Sequence, residues 1–134
     1  MTAIALSLDP SRFLRRVLLV DATTCVATGA LLTLDAALLS RLLGLPQALL
    51  FYAGASLFPC AALMLWVALR EPLSRAGAWI VVAGNAAWVA GSVALLFAAA
   101  PTGLGSAFVS AQALAVALLA ELEFIGLRKS LQPA

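Results

Sequence analysis

Asp21 is the residue with the most chemistry to explain. It stands in Leu18-Leu-Val-Asp21-Ala-Thr-Thr-Cys25-Val-Ala-Thr28, about a turn and a half inside a segment otherwise apolar enough to cross a bilayer. An acid at that depth is costly, turns toward other protein, and marks a candidate proton, ion or ligand site. Asn85 and Trp88 form a second candidate pair in the third apolar segment, with Ser92 on the same side. Asn85 lies about 12 Å of helical rise from Gly77, near mid-bilayer, where an amide needs a partner. That partner is either another helix or a ligand beside the Trp88 ring. In the fourth segment, Glu121 stands seven residues before Arg128.

These depths predict a charge cluster of Asp21, Arg70 and Glu121, with Arg128 at its edge. Asp21 and Glu121 lie at a similar depth, and the long Arg70 side chain could bridge two carboxylates. Such a cluster either makes burial of the acids tolerable or forms a proton or cation site. The sequence has no histidine, the commonest metal ligand and general base. Cys25 and Cys60 have no metal-binding spacing and read as small core-like residues. No metal, cofactor or catalytic constellation is expected, and an enzyme is the less favoured class.

The elements that must position these residues follow from composition. The chain has 134 residues, 64% of them hydrophobic, 10% charged, and a mean hydropathy of +1.09. Soluble domains carry roughly 25% charged residues, so this is the composition of an integral membrane protein. The net charge of +2 belongs to residues flanking apolar segments, which fits topology and anionic lipid, not nucleic acid. The expected fold is all-α, a single four-helix transmembrane bundle with spans at about 14–34, 48–69, 77–98 and 106–127. Between the first two, Leu38, Leu39, Leu42 and Leu43 recur at helical spacing before Gly44-Leu-Pro46, which predicts a short surface helix.

Faces can be assigned within the spans. Asp21, Thr24, Cys25 and Thr28 share one face of the first. Pro59 kinks the second. Ala83, Ala87, Ala90 and Ala94 give the third a small-residue face that permits close helix approach. In the fourth, Ser106, Ser110, Ala113, Ala117 and Ala120 oppose Gln112, Val116, Leu119 and Glu123. If the small stripe faces the bundle, Gln112 and Glu123 point outward and suit a subunit interface. The alternative turns Gln112 inward and leaves the small stripe for a second copy.

Leu19-Val-Asp-Ala22, Asn85-Ala-Ala-Trp88-Val-Ala-Gly-Ser92 and Gln112-Ala-Leu-Ala-Val116 leading to Gly126-Leu-Arg128 together resemble small, uncharacterised four-span bacterial membrane proteins. That resemblance covers spans one, three and four and implies a fold and a bacterial inner membrane, not an activity. The layout of four short spans with an acid in the first is also similar to the small multidrug resistance family. That similarity implies a transporter with a proton or cation site at Asp21. This chain departs in carrying Asp where those transporters carry Glu in another local motif, and in its one-sided charge.

Three function classes follow. The favoured one is a binding or accessory subunit that packs against a membrane-protein partner or a second copy, or holds a lipid-like or small hydrophobic molecule in the bilayer. The alternative is a small transporter using embedded carboxylates. The third is an enzyme acting on lipid or quinone, for which the only lysine, Lys129, stands at the membrane edge.

Arg12, Arg15, Arg16, Arg70, Arg75, Arg128 and Lys129 lie on one side of this layout, and Arg41 alone lies on the other. The positive-inside rule then puts both termini in the cytoplasm. Met1 to Pro10 carries no basic residue, and Asp21 interrupts the apolar run, so the first span is expected to be retained, not cleaved as a leader. Accessibility labelling checks the orientation: a cysteine at Ser130 should react from the cytoplasm and one at Thr102 from outside. Labelling of Thr102→Cys from the cytoplasm alone would reverse it.

Overall fold

The computed structural model describes residues 10–131. Among them the chain forms α1 (Pro10–Leu34), α2 (Ala36–Leu43), α3 (Gln47–Leu69), α4 (Arg75–Ala98) and α5 (Gly103–Leu131), with no strand. α1, α3, α4 and α5 are each long and apolar enough to cross a membrane. The expected spans fall inside these helices, with α1 and α5 running further at their ends.

The helices form a ring in the order α3, α1, α5, α4. Contact is densest between α1 and α3 and between α4 and α5, and the α1–α5 seam joins these pairs. Two glycines explain the first pairing. A Cβ on Gly54 would lie 2.6 Å from that of Leu32, and one on Gly29 would lie 2.9 Å from the Gly54 carbonyl oxygen. In a bilayer, where lipid is as apolar as leucine, such close backbone approach is a main source of helix association. Among the described residues, the threonines of α1 make no hydrogen bond to another helix. Thr23, Thr24 and Thr33 each bond back to a carbonyl of their own helix at 2.8 Å.

At one end, α2 is fixed by the turn that leads into α5. Gly44 closes α2 in the left-handed conformation, with φ 69°, and Ser40 donates to the Leu45 carbonyl. The Thr102 backbone N–H donates to the Leu43 carbonyl at 3.0 Å, and its hydroxyl donates to the Leu42 carbonyl at 2.8 Å. Gly105 lies so close to the Leu43 carbonyl that no Cβ could fit there. The uncharged Pro101–Gly105 turn is thereby a docking piece for α2.

At the other end, Arg15 of α1 holds the exit of α3. Its guanidinium donates to the carbonyls of Ala68 and Arg70, each at 2.8 Å, and pairs with Glu71 at 3.2 Å. The first two bonds satisfy carbonyls left open at a helix C-terminus. Ser74 caps α4 by accepting from the Gly77 N–H at 3.0 Å. Here α3 and α4 meet, with Gly77 against Val67. Farther along they part. Gly84 and Gly91 face space in which an added Cβ would meet nothing within 4 Å.

Candidate functional site

Asp21, Asn85 and Glu123 come together inside the bundle, supplied by α1, α4 and α5. They are 1%, 7% and 0% exposed. The Asn85 amide nitrogen donates to Asp21 Oδ2 at 2.7 Å and to Glu123 Oε1 at 2.8 Å. One NH2 group thus spends both hydrogens on two carboxylates from two other helices. The Cys25 thiol, one turn along α1, faces Asp21 Oδ1 at 3.7 Å and Met64 Sδ at 3.9 Å. Glu123 Oε2 is buried and has no hydrogen-bond partner among the described residues.

A second polar chain lies farther along α4. Trp88 Nε1 donates to Gln112 Oε1 at 2.7 Å. The Gln112 amide nitrogen donates to Ser92 Oγ and to the Val109 carbonyl, both at 2.9 Å, and Ser92 Oγ donates to the Trp88 carbonyl. Every polar atom of the Gln112 side chain is therefore engaged inside the α4–α5 pair.

Both chains border a cleft between α3 and α4. A cavity of about 210 Å³ is lined by Asp21, Cys25, Cys60, Asn85, Trp88 and Gln112, with aliphatic side chains completing its walls. A neighbouring cavity of about 460 Å³ shares Thr28, Gly84, Trp88 and Gln112 with the first and extends past Gly91 and Phe108.

This arrangement corrects the expected charge cluster. Arg70 is exposed, and its guanidinium stacks 4.8 Å from the Trp66 ring instead of reaching Asp21. Arg128 lies over Phe124 at 5.7 Å. Glu121 is exposed and Glu123 is the buried acid, because two residues along a helix turn the side chain by about 200°. The outward placement of Gln112 and Glu123 is corrected in the same way: both turn into the bundle, the alternative left open by the sequence. Asp21, Asn85 and Trp88 line one cavity, and Glu121 does not join them.

Chemically, the triad is two acids and one amide. Among the described residues no Lys or Arg forms an ion pair with Asp21 or Glu123; the ion pair found there is Arg15 with Glu71. Two like charges, both out of water, repel each other and lack a counterion. Protonation of either acid, or a cation brought from outside, would relieve that repulsion. Among the described residues, no group of three or more His, Cys, Asp or Glu side chains is placed to hold a metal ion.

The geometry predicts opposite behaviour for neighbouring acids. Glu123→Gln removes a buried carboxylate with an unpartnered oxygen and should raise unfolding stability by about 1–2 kcal/mol. Glu121→Gln, at an exposed position, should shift it by less than about 0.5 kcal/mol. Equilibrium unfolding in mixed micelles measures both, and the reverse ranking would place the wrong acid in the core.

Compared with family models, curated proteins and solved structures, the chain matches none of them, so its functional reading rests on this geometry.

Proposed function

We propose that the protein is a small membrane-embedded binding protein that holds a mainly apolar small molecule in the α3–α4 cleft. The observation that carries this reading is the pair of adjoining cavities, about 210 and 460 Å³, with aliphatic walls and a few convergent polar groups. Such a combination of apolar lining and sparse, well-placed polar groups is the usual form of a small-molecule site. The sparse packing of α3 on α4, and the exposure of Cys60, Ile80 and Gly84 at the cavity's edge, favour access sideways from the bilayer. The site is proposed to lie in a bacterial cytoplasmic membrane, which the sequence resemblance implies, with both termini inside, on the strength of the basic-residue distribution.

An accessory role toward a second copy or a membrane-protein partner draws on the α4 face that borders the larger cavity, which Ala87 also lines. Ala83, Ala87, Ala90 and Ala94 are all exposed on α4, and such a face admits close approach of another helix. A transporter reading draws on the uncompensated Asp21–Glu123 pair and would additionally require a water path to both membrane faces.

Filling the cleft tests the binding reading. Gly84→Leu adds a side chain into open space, so unfolding stability should stay within about 0.5 kcal/mol of the parent. Native mass spectrometry in mild detergent should show a retained small molecule on the parent chain and none on Gly84→Leu. A bare parent protein, or equal occupancy in both, would contradict the proposal.

A further inference from the structure

Resting on that binding reading, we infer that the ligand is a neutral hydroxyl compound, an alcohol or phenol on an apolar body, whose O–H donates to Asn85 Oδ1. The inference starts from the atom of Asn85 that the triad leaves over. Both hydrogens of the amide nitrogen go to carboxyl oxygens, which fixes the orientation of the amide. Oδ1 then accepts no hydrogen bond among the described residues, yet it is not sealed in as Glu123 Oε2 is. Asn85 is 7% exposed and lines the smaller cavity, so this oxygen is the acceptor it opens there. An amide oxygen only accepts, so the missing partner must bring a donor.

The other polar groups of the wall are already served. Asp21 is 1% exposed; its Oδ2 takes the Asn85 amide and its Oδ1 faces the Cys25 thiol. Trp88 donates to Gln112, and Gln112 to Ser92. The Thr24 hydroxyl donates to the Asp21 carbonyl. Thr28 makes no such bond among the described residues, but it stands about 10 Å of helical rise from Asp21. Its hydroxyl can also turn back to a carbonyl of its own helix, which an amide oxygen cannot do.

The cavity selects both the number of donors and the body that carries them. One open acceptor suits one donor. An ammonium group would bring three, and two of them would be left against Leu57, Leu63, Met64 and Val81. A hydroxyl brings one. Its apolar body has room, because the cavities of about 210 and 460 Å³ adjoin at Thr28, Gly84, Trp88 and Gln112. The head sits at Asn85, and the body runs past Trp88 toward Leu95 and Phe108. The hydroxyl can come from a free alcohol or phenol, or from a diacylglycerol.

Asn85 is the sole asparagine of the sequence, so selective carbon-13 labelling makes its side-chain carbonyl a single NMR reporter in the full chain. NMR and titration calorimetry in maltoside micelles compare n-octanol with its isomer methyl heptyl ether, which keeps the size and the oxygen but has no donor. Affinities are referred to the probe concentration in the micelle. Octanol should bind at least about fivefold tighter than the ether, a difference of about 1 kcal/mol. It should also move the Asn85 carbonyl resonance downfield and saturably, and the ether should not. Gly84→Leu should abolish both the binding and the shift. Displacement of octanol by dioctanoylglycerol would support the inference with a lipid as the source; no displacement would support it with a free alcohol or phenol. Equal binding of octanol and ether, lost in Gly84→Leu, would overturn the hydroxyl assignment and leave the binding site standing. So would saturable octanol binding that leaves the Asn85 resonance in place, or tighter binding of n-octylammonium than of octanol. Saturable binding of none of the three would overturn both readings.

Discussion

The rest of the structure depends on one constraint: two carboxylates sit deep in helices otherwise built for lipid. Neither Asp21 nor Glu123 can be left to hydrocarbon, and both are turned to the same point in the bundle. Asn85 makes that point possible. Its amide is neutral, so it can be buried at modest cost, and its two hydrogens satisfy one oxygen from each acid. Three helices are thereby tied at one locus, which also fixes their rotation. A span turned by even one residue would carry its polar group out toward lipid.

Other contacts allow that locus to exist without carrying charge themselves. Gly29 and Gly54 bring α1 and α3 together at backbone distance, and the docking of the Pro101–Gly105 turn on α2 sets where α5 begins. Arg15 spends its guanidinium on open carbonyls and Glu71 at the edge of the bundle. That engagement holds the Arg15 charge at the edge of the bundle. The outcome is a cleft with apolar walls and one polar corner, bounded by α3 and α4 where they separate beyond Gly77.

Much of this was legible in the sequence. Four apolar segments, the short amphipathic helix after the first, and the inward turn of Asp21 and Asn85 follow from periodicity and from the cost of polar groups in lipid. The partner of Asp21 was not legible. Helical rise gives a depth for Asp21, Arg70 and Glu121, but depth alone does not say which way a side chain points. Arg70 has Trp66 one turn behind it, and stacking there keeps its charge in contact with water. Glu123 carried a usable signal. It lies eleven residues after Gln112, three full helical turns, so the two must face alike. Reading that spacing together with the Trp88–Ser92 side of α4 would have turned both inward.

The central claim is that Asn85 is needed because of the two acids it bridges. The direct measurement compares the cost of Asn85→Leu in two backgrounds by equilibrium unfolding in mixed micelles. In the parent chain the substitution should cost roughly 2–4 kcal/mol, since two buried carboxylates lose their shared donor. In a chain already carrying Asp21→Asn and Glu123→Gln it should cost under about 1 kcal/mol, as for an ordinary hydrogen bond between membrane helices. An equal cost in both backgrounds would contradict the account.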